Sequence, residues 1–448
     1  MQNAEPGSSA EIHRVFKLQR EHHWVVKGTS AQMRKQKLQK LKEVILTHAE
    51  AACEALHQDL RKSPAEAQAE VQGAVADIDD ALIHLDEWMK PVAVESSPHL
   101  AGTKATVIHE PRGVCLLFSP WNFPFLLLFQ PLVPIIAAGN CTMIKPNEMA
   151  PATSRISARI VREAFDERDA AVLEGGIELA NALLELPFDH VFFTGSPKVG
   201  RTVMAAAAKH LASVTLELGG KCPAVIDGTV DLAQAAATVG TGRYWNAGQV
   251  CLCPDIVWVP KDRREEFVAH LRSFVAATYY LNGELNKQVF GKIVDGRNLA
   301  RVRGYLDDAV QRGAKVAFGG EVEQPDCTIH PTALIEVPRD ATILREEVFG
   351  PILVVMTYQD PAEIAEFMRG GGKPLALYVF SNDQQFIDRI LLTTSSGGVT
   401  INGWATHWFE PRLPFGGVNE SGIGRYHGVH GFKELSHERA ILAQPAAV

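Results

Sequence analysis

Excess positive charge, paired cysteines and an uninterrupted apolar run are all missing from this sequence of 448 residues. It carries 44 lysines and arginines against 52 aspartates and glutamates, a net charge of -8, which argues against a nucleic-acid binder or a basic membrane-surface protein. The one basic cluster, Arg34, Lys35, Lys37, Lys40 and Lys42, interleaves at helical spacing with Met33, Leu38, Leu41, Val44 and Ile45, and is expected to form a solvated helix face. The seven cysteines are Cys53, Cys115, Cys141, Cys222, Cys251, Cys253 and Cys327. Their odd number and irregular spacing, with no signal peptide ahead of them, suit a reducing compartment rather than a disulfide framework. No Cys/His pairing has zinc-finger spacing, so no metal is expected.

Residues 113–139, GVCLLFSPWNFPFLLLFQPLVPIIAAG, are apolar enough to resemble a membrane span, but Pro120, Pro124, Pro131 and Pro134 interrupt them. A buried strand, an irregular loop and a short core helix fit better. The C-terminal ILAQPAAV is too short to anchor the chain. The expectation is a soluble, cytoplasmic protein with no nucleic-acid or membrane partner.

Length suggests about three domains. The first ninety residues read as mainly helical. Short β-rich runs then appear at Val114–Phe118, Thr142–Ile144, Ala171–Leu173, Val191–Thr194 and Val214–Leu218, with amphipathic stretches such as Ile156, Ile160, Val161 and Phe165 between them. Such alternation predicts a parallel sheet that gathers ligands at the carboxyl ends of its strands. A second α/β region opens near Gly219. There Ile256–Val259 reads as a strand, followed by a helix with Asp262 and Glu265 in capping-box spacing and Phe267, Val268, Leu271, Phe274 and Val275 on one face. The last forty-odd residues are rich in Gly, Pro and aromatics and show little periodicity.

Two segments carry the chemistry. GQVCLCP, 248–254, sets Cys251 among small neighbours where a thiolate can be reached; alone, such a cysteine is as readily a small core hydrophobe. TLELGGKCP, 215–223, ends an apolar strand on Glu217, which is either a satisfied ion-pair partner or a general base whose pKa is raised by burial. SPWNFPF (119–125), KPNE (145–148) and FTGSPKVG (193–200) each follow a predicted strand, and EEVFGP (346–351) and LPFGG (413–417) come later.

In this order and spacing these segments resemble the signatures of the aldehyde dehydrogenase superfamily, across residues 15 to 440. KPLALYVFS (373–381), SGGVTING (396–403) and YHG (426–428) resemble its class 3 branch, which includes benzaldehyde, coniferyl-aldehyde and fatty-aldehyde dehydrogenases. The resemblance implies an α/β fold with a Rossmann-like cofactor domain (1–85 and 108–218), an α/β catalytic domain (219–404) and a small bridging and oligomerisation element (86–107 and 405–448), commonly a homodimer. It implies Cys251 as nucleophile, the Asn122 amide and the Cys251 backbone N–H as oxyanion donors, and Glu217 as the base that hydrolyses the thioester. Glu347 is a competing base, or else holds the nicotinamide ribose.

For the cofactor, the matching positions are Ser119, Pro120, Trp121, Lys145, Glu148, Gly195, Ser196, Gly200, Leu218, Gly219, Glu347 and Phe349. Lys145 and Glu148 would meet the adenosine ribose, where a carboxylate favours NAD while leaving NADP possible; otherwise they are a surface pair. Backbone N–H groups at Gly195, Ser196 and Gly200 suit a pyrophosphate, although GSPKVG is not the GxGxxG fingerprint. Phe349 would pack at the nicotinamide end, or in the core.

Residues lining the aldehyde tunnel in relatives fall near Trp245, Trp404, His407, Trp408 and Phe415, and flat aromatic walls favour an aromatic aldehyde over a medium-chain aliphatic one. Some of these also suit a core or a subunit contact. Cys253 stands where many class 3 relatives carry Ala, as isosteric filling or as a thiol that traps oxidised Cys251 in a disulfide. Two readings compete with an NAD(P)-dependent hydrolytic enzyme. A non-catalytic member of the fold could have lost Cys251, Asn122 or Glu217, and a coenzyme A-acylating enzyme would not need Glu217.

Overall fold

Serine hydroxyls start three of the four helices that open the chain. The computed structural model describes residues 8–444, so the outermost ends of the expected cofactor and bridging segments, and the last four residues of ILAQPAAV, lie outside the described residues. Helices run over Ser9–Lys27, Ala31–Thr47, Ala49–Leu60 and Pro64–Trp88. The side chains of Ser8, Ser30 and Ser63 accept from the N–H groups of Glu11, Met33 and Glu66, which satisfies donors a helix start leaves orphaned.

The basic cluster differs from expectation. Arg34 is buried, with its guanidinium on the Ala137 carbonyl at 3.0 Å, while Met33 is 51% exposed. Lys37 pairs with Asp169 at 2.7 Å and Lys42 with Asp79 at 2.5 Å. The reason is the neighbour: the helix Leu126–Ala138 ends on Gly139 with φ +88, and the Arg34 guanidinium lies where a Cβ on that glycine would sit. This side of the helix therefore binds rather than faces water.

The expected strand, loop and core helix over residues 113–139 are all present, as Val114–Phe118, a turn and Leu126–Ala138, every residue of which is buried. Among the described residues no helix is long and apolar enough to cross a membrane.

Two larger sheets follow. The first has six strands in the order Gly422–Ile423, Ser213–Glu217, His190–Thr194, Val114–Phe118, Cys141–Lys145 and Ala170–Val172, parallel except for the first pair. Strand order reverses at Val114–Phe118, so a crevice opens beyond its carboxyl end and that of His190–Thr194, the place where open α/β sheets bind ligands. The second sheet has seven strands, Lys315–Phe318, Thr332–Ile335, Ile352–Tyr358, Ile256–Pro260, Pro223–Ile226, Ala376–Phe380 and Gly398–Ile401, parallel except at the first pair.

The expected capping box at Asp262 and Glu265 does not form. Lys261–Arg263 make a 3-10 turn, the helix starts at Arg264, and Glu265 pairs with Arg264 instead. An N-cap needs extended backbone, and Arg263 is already helical at φ -103, ψ -1. The face read for this helix does pack inward, with Phe267, Val268, Leu271 and Val275 buried. A capping box does form at Ser63 with Glu66. The last forty-odd residues also hold more order than their pattern showed. A helix at Gly428–Glu434 precedes the strand Ser436–Ala443, which pairs along its length with Lys104–Pro111 in a three-stranded sheet completed by Val92–Val94. All of that strand after Ser436 is exposed, so no alternation of polar and apolar residues marks it.

Candidate active site

A sharp turn presents Cys251. The helix Leu232–Tyr244 gives way to Trp245–Gly248, where Asn246, Ala247 and Gly248 take left-handed φ values of 50, 51 and 74 in succession. At Gly248 a Cβ would stand 2.3 Å from the Gly350 carbonyl oxygen, so this close approach admits only glycine. The fully buried Arg243 clamps the loop from both sides. Its guanidinium donates to Gly248 O at 3.1 Å, Pro254 O at 3.2 Å, Gly350 O, and the Asp255 carboxylate at 2.5 Å. Asp255 also takes the Lys221 ammonium at 3.0 Å and the Val348 N–H at 3.1 Å. One buried charge network thus joins the cysteine loop to the segment carrying Glu347 and Phe349.

Cys251 is partly buried, and burial, then the negative charges of Glu347 and Glu217, push its thiol well above the ordinary range. Two carboxyl groups therefore stand close enough to Cys251 to act on its charge. Glu217 ends its strand 4% exposed, and neither carboxyl oxygen has a hydrogen-bond partner among the described residues. Burial raises its carboxyl well above the usual range, against the pull of Arg425. The Glu347 carboxyl lies over Gly219, where a Cβ would come within 2.1 Å of it. Burial and the charge of Asp255 raise it to about 8, opposed by the Gly220 N–H, Arg301 and Lys221.

Asn122 is buried, and its side-chain amide donates to Gln249 O at 3.0 Å, two residues before the thiol. Cys253 points elsewhere: its Sγ lies 3.0 Å from Gly242 O and 3.4 Å from Arg243 O. Cys222 approaches the Cys251 carbonyl instead, with Sγ at 3.4 Å.

The remaining predicted residues fall into two groups. Ser119, Lys145 and Gly195 follow directly on or end the three central strands of the first sheet, at its carboxyl edge. There Ser119 N–H donates to Lys145 O at 3.2 Å and Gly195 N–H to Glu217 O at 3.0 Å. Lys145 Nζ meets Glu148 at 2.7 Å, and Ser196 caps the helix Pro197–Ala208. Gly200 faces Leu218, whose side chain lies 2.9 Å from where a Cβ would be. Beyond Pro120, Trp121 meets Phe349 edge-on at 5.3 Å, and Phe349 holds a left-handed φ of 45, a costly conformation for an aromatic residue. On the other side of the thiol, Trp245 and Trp404 stand 6.4 Å apart and Trp404 Nε1 donates to Leu252 O at 3.0 Å. His407 lies 6.1 Å from Phe415. Phe415 itself is buried against Tyr426 and His427. Among the described residues no cluster of three or more His, Cys, Asp or Glu side chains is arranged to hold a metal.

Sequence reading missed the supports: Arg243, Asp255, Lys221 and Arg301, whose guanidinium bonds the carbonyls of Glu347, Val348 and Phe349 at 3.4, 2.9 and 3.3 Å. The signal was a charged residue immediately before an apolar loop, Arg243 ahead of YWNAGQVC.

The sequence profile of the aldehyde dehydrogenase family matches residues 1–441. The Bacillus subtilis protein AldX is 44% identical over 440 residues, covering 97% of this chain and 98% of that one. A Caulobacter vibrioides protein named as a coniferyl aldehyde dehydrogenase is 38% identical over 457 residues, covering 99% of this chain and 94% of that one. The solved structure of the substrate-bound state of Staphylococcus aureus AldH superposes with a TM-score of 0.93 at 36% identity, covering 98% of this chain and 95% of that one. On fold, site and sequence together, the chain belongs to the aldehyde dehydrogenase family.

Proposed function

We propose that the chain oxidises an aromatic aldehyde to its carboxylic acid, with Cys251 as the covalent nucleophile and NAD(P) as cofactor. The observation that carries this reading is Cys251 on a loop tethered to the Asn122 amide, with the buried carboxyls of Glu217 and Glu347 near enough to raise its thiol. The thiol must lose its proton to attack, and Glu217 and Glu347 are the groups that can take it. Attack forms a carbon–sulfur bond and an oxyanion, toward which the Asn122 amide and the Cys251 N–H are the donors. After oxidation to the thioester, water adds to the carbonyl. Glu217 takes the proton from that water, and the sulfur leaves with the acid released. A second assignment has Glu347 as this base. It is supported by the Glu347 carboxyl lying over Gly219 and by burial raising it to about 8, close to a working pH.

The crevice of the first sheet fits a dinucleotide. Gly195 and Ser196 bring backbone to a helix start suited to a pyrophosphate, Lys145 and Glu148 offer a donor and an acceptor to a ribose, and Gly219 leaves no room for a side chain beneath Glu347. The cofactor, when bound, supplies the hydride acceptor. Glu148 favours NAD over NADP. Leu218, Trp121 and Phe349 complete the pocket on the thiol side.

The Trp245–Trp404 pair supports an aromatic substrate, as does the relative named for coniferyl aldehyde. Hexanal and other medium-chain aldehydes are the alternative. The same reading includes a homodimer, checked by light scattering. The test of the whole is formation of reduced cofactor from NAD and from NADP with benzaldehyde, 4-hydroxybenzaldehyde, coniferyl aldehyde and hexanal. Wild type is expected to turn over and Cys251→Ala to show none. Equal kcat/KM for hexanal and benzaldehyde would remove the aromatic preference, and an active Cys251→Ala would remove the nucleophile.

A further inference from the structure

A lysine with no exposed surface sits beside the loop that carries Asn122. Lys62 is 0% exposed, and its ammonium has three partners: the Glu70 carboxylate, the Asn122 backbone carbonyl at 2.8 Å, and the face of the Phe123 ring at 3.9 Å. An ammonium has three hydrogens, so its capacity is matched. The second Glu70 oxygen accepts from the N–H groups of Phe125 and Leu126 at 3.2 and 3.0 Å, fixing where the 119–125 turn becomes the helix Leu126–Ala138.

One turn earlier on the same helix, Glu66 does the equivalent for the cysteine loop. One of its oxygens closes the capping box on Ser63 N–H at 2.8 Å; the other accepts from the Asn246 N–H at 2.6 Å. Asn246 holds its left-handed backbone there and spends its side-chain amide on two carbonyls, Asn122 O at 2.9 Å and Gln249 O at 3.2 Å. Gln249 O is also where the Asn122 amide lands.

Buried charges of this kind are poor stabilisers; well-packed apolar residues in their place are commonly neutral or better for stability. What the network does is geometric. Apart from the Lys62–Glu70 pair and the Ser63 cap, every bond ends on the turn bearing Asn122 and the helix start after it or on the loop bearing Cys251, and both are referenced to one rigid helix, Pro64–Trp88.

We propose that Lys62, Glu66, Glu70 and Asn246 are positioning residues that hold the Asn122 amide and the Cys251 N–H in register as a pair of oxyanion donors. The role rests on the nucleophile and oxyanion assignments above. It acts through Asn122 and the loop of Cys251 rather than on substrate or cofactor directly.

Two variants test it without stranding a buried charge. Lys62→Met/Glu70→Gln removes both charges together, and Asn246→Gly removes the bridging amide at a backbone angle that glycine accepts. Each is compared with wild type, with Asn122→Ala, and with itself in the Asn122→Ala background. Three readouts are taken: kcat for benzaldehyde oxidation, KM for cofactor, and the rate of Cys251 alkylation by iodoacetamide, a substitution that develops no oxyanion. Expected is a loss of kcat of about 10- to 100-fold in each variant, with cofactor KM and alkylation rate within about two-fold of wild type. In the Asn122→Ala background Lys62→Met/Glu70→Gln should cost almost nothing further, because it acts through a group already gone, while Asn246→Gly should keep only the part of its loss that runs through the Cys251 loop.

Unchanged kcat in either folded variant overturns the role. So do losses that multiply fully with Asn122→Ala, or alkylation falling in step with kcat; in each case the parent reading stands. A variant that will not fold while the other keeps full kcat also overturns it, since the network would then be structural only. A wild-type chain that oxidises no aldehyde in the panel, yet is alkylated at Cys251, overturns the parent reading and the role with it.

Discussion

The cofactor crevice and the thiol pocket lie at adjoining strand ends and are held by opposite means. The crevice is backbone: Gly195, Gly200 and Gly219 make room, Ser196 caps a helix, and a charged pair, Lys145 with Glu148, sits at its rim. The pocket is braced by buried charge: Arg243 on Asp255, Lys221 on the same carboxylate, and Lys62 on Glu70. A site made of backbone shape is broken by adding atoms. A site made of paired charges is broken by taking atoms away, even isosterically.

That contrast orders the expected effects. The largest after loss of the proposed nucleophile is Asn122→Ala, which removes the proposed oxyanion donor and is expected to lower kcat about 10²- to 10³-fold with little change in cofactor KM, measured in steady state. An equal loss in cofactor affinity would mean that the two regions are not separable. Next is Gly219→Ala, the crevice counterpart. Its methyl group would lie 2.1 Å from Glu347, and pushing that carboxyl aside is expected to cost about 10- to 100-fold in kcat/KM.

Glu347→Gln sharpens the comparison through pH. A carboxyl at about 8 is active as a base only above that range, so if Glu347 is the base, the wild-type rate rises as pH passes through 8 and the variant loses that limb. If Glu217, which burial also raises above the usual carboxyl range, is the base, its own rising limb survives in Glu347→Gln and is lost in Glu217→Gln. Stability moves the other way. A carboxyl raised on folding holds its proton more tightly in the folded chain, so the folded state is favoured at low pH and loses ground as pH climbs from the ordinary carboxyl range toward 8. Glu347→Gln should therefore be the more stable protein at pH 8, by urea titration, with the difference vanishing near pH 4. The smallest effect belongs to the rim: Glu148→Gln is expected to raise NADP use relative to NAD by only about three- to ten-fold. No shift would leave the Lys145–Glu148 pair a surface contact.

The same contrast explains what was legible in the sequence. Strand ends followed by small or polar residues, as at Phe118-Ser119 and Thr194-Gly195, announce a crevice directly, because backbone geometry is set locally. The first sheet and the family followed from such segments, whereas in the second sheet only the strand at Ile256 was read from sequence. The supports of the pocket did not show, because Lys62, Glu66 and Glu70 meet Asn122 and Asn246 across long separations, and nothing local separates a buried Lys–Glu pair on a helix from a solvated one. Arg34 failed for that reason too. The Asp262–Glu265 spacing failed locally instead, because a 3-10 turn at Lys261–Arg263 sets the helix start two residues later. The strand Ser436–Ala443 escaped because both its faces are exposed.

That strand, and the short Gly422–Ile423 strand before it, set a schedule for synthesis. Gly422–Ile423 is the outer partner of Ser213–Glu217, and Lys104–Pro111 has its longest pairing with Ser436–Ala443. During translation the first half of the chain emerges at about 5–20 residues per second with both of these edges uncovered, and Glu217 lies on one of them. The surroundings that bury Glu217 are thus among the last parts to be delivered by the ribosome. A nascent chain stalled before residue 422 would present two bare strand edges, which makes it a natural client for chaperones.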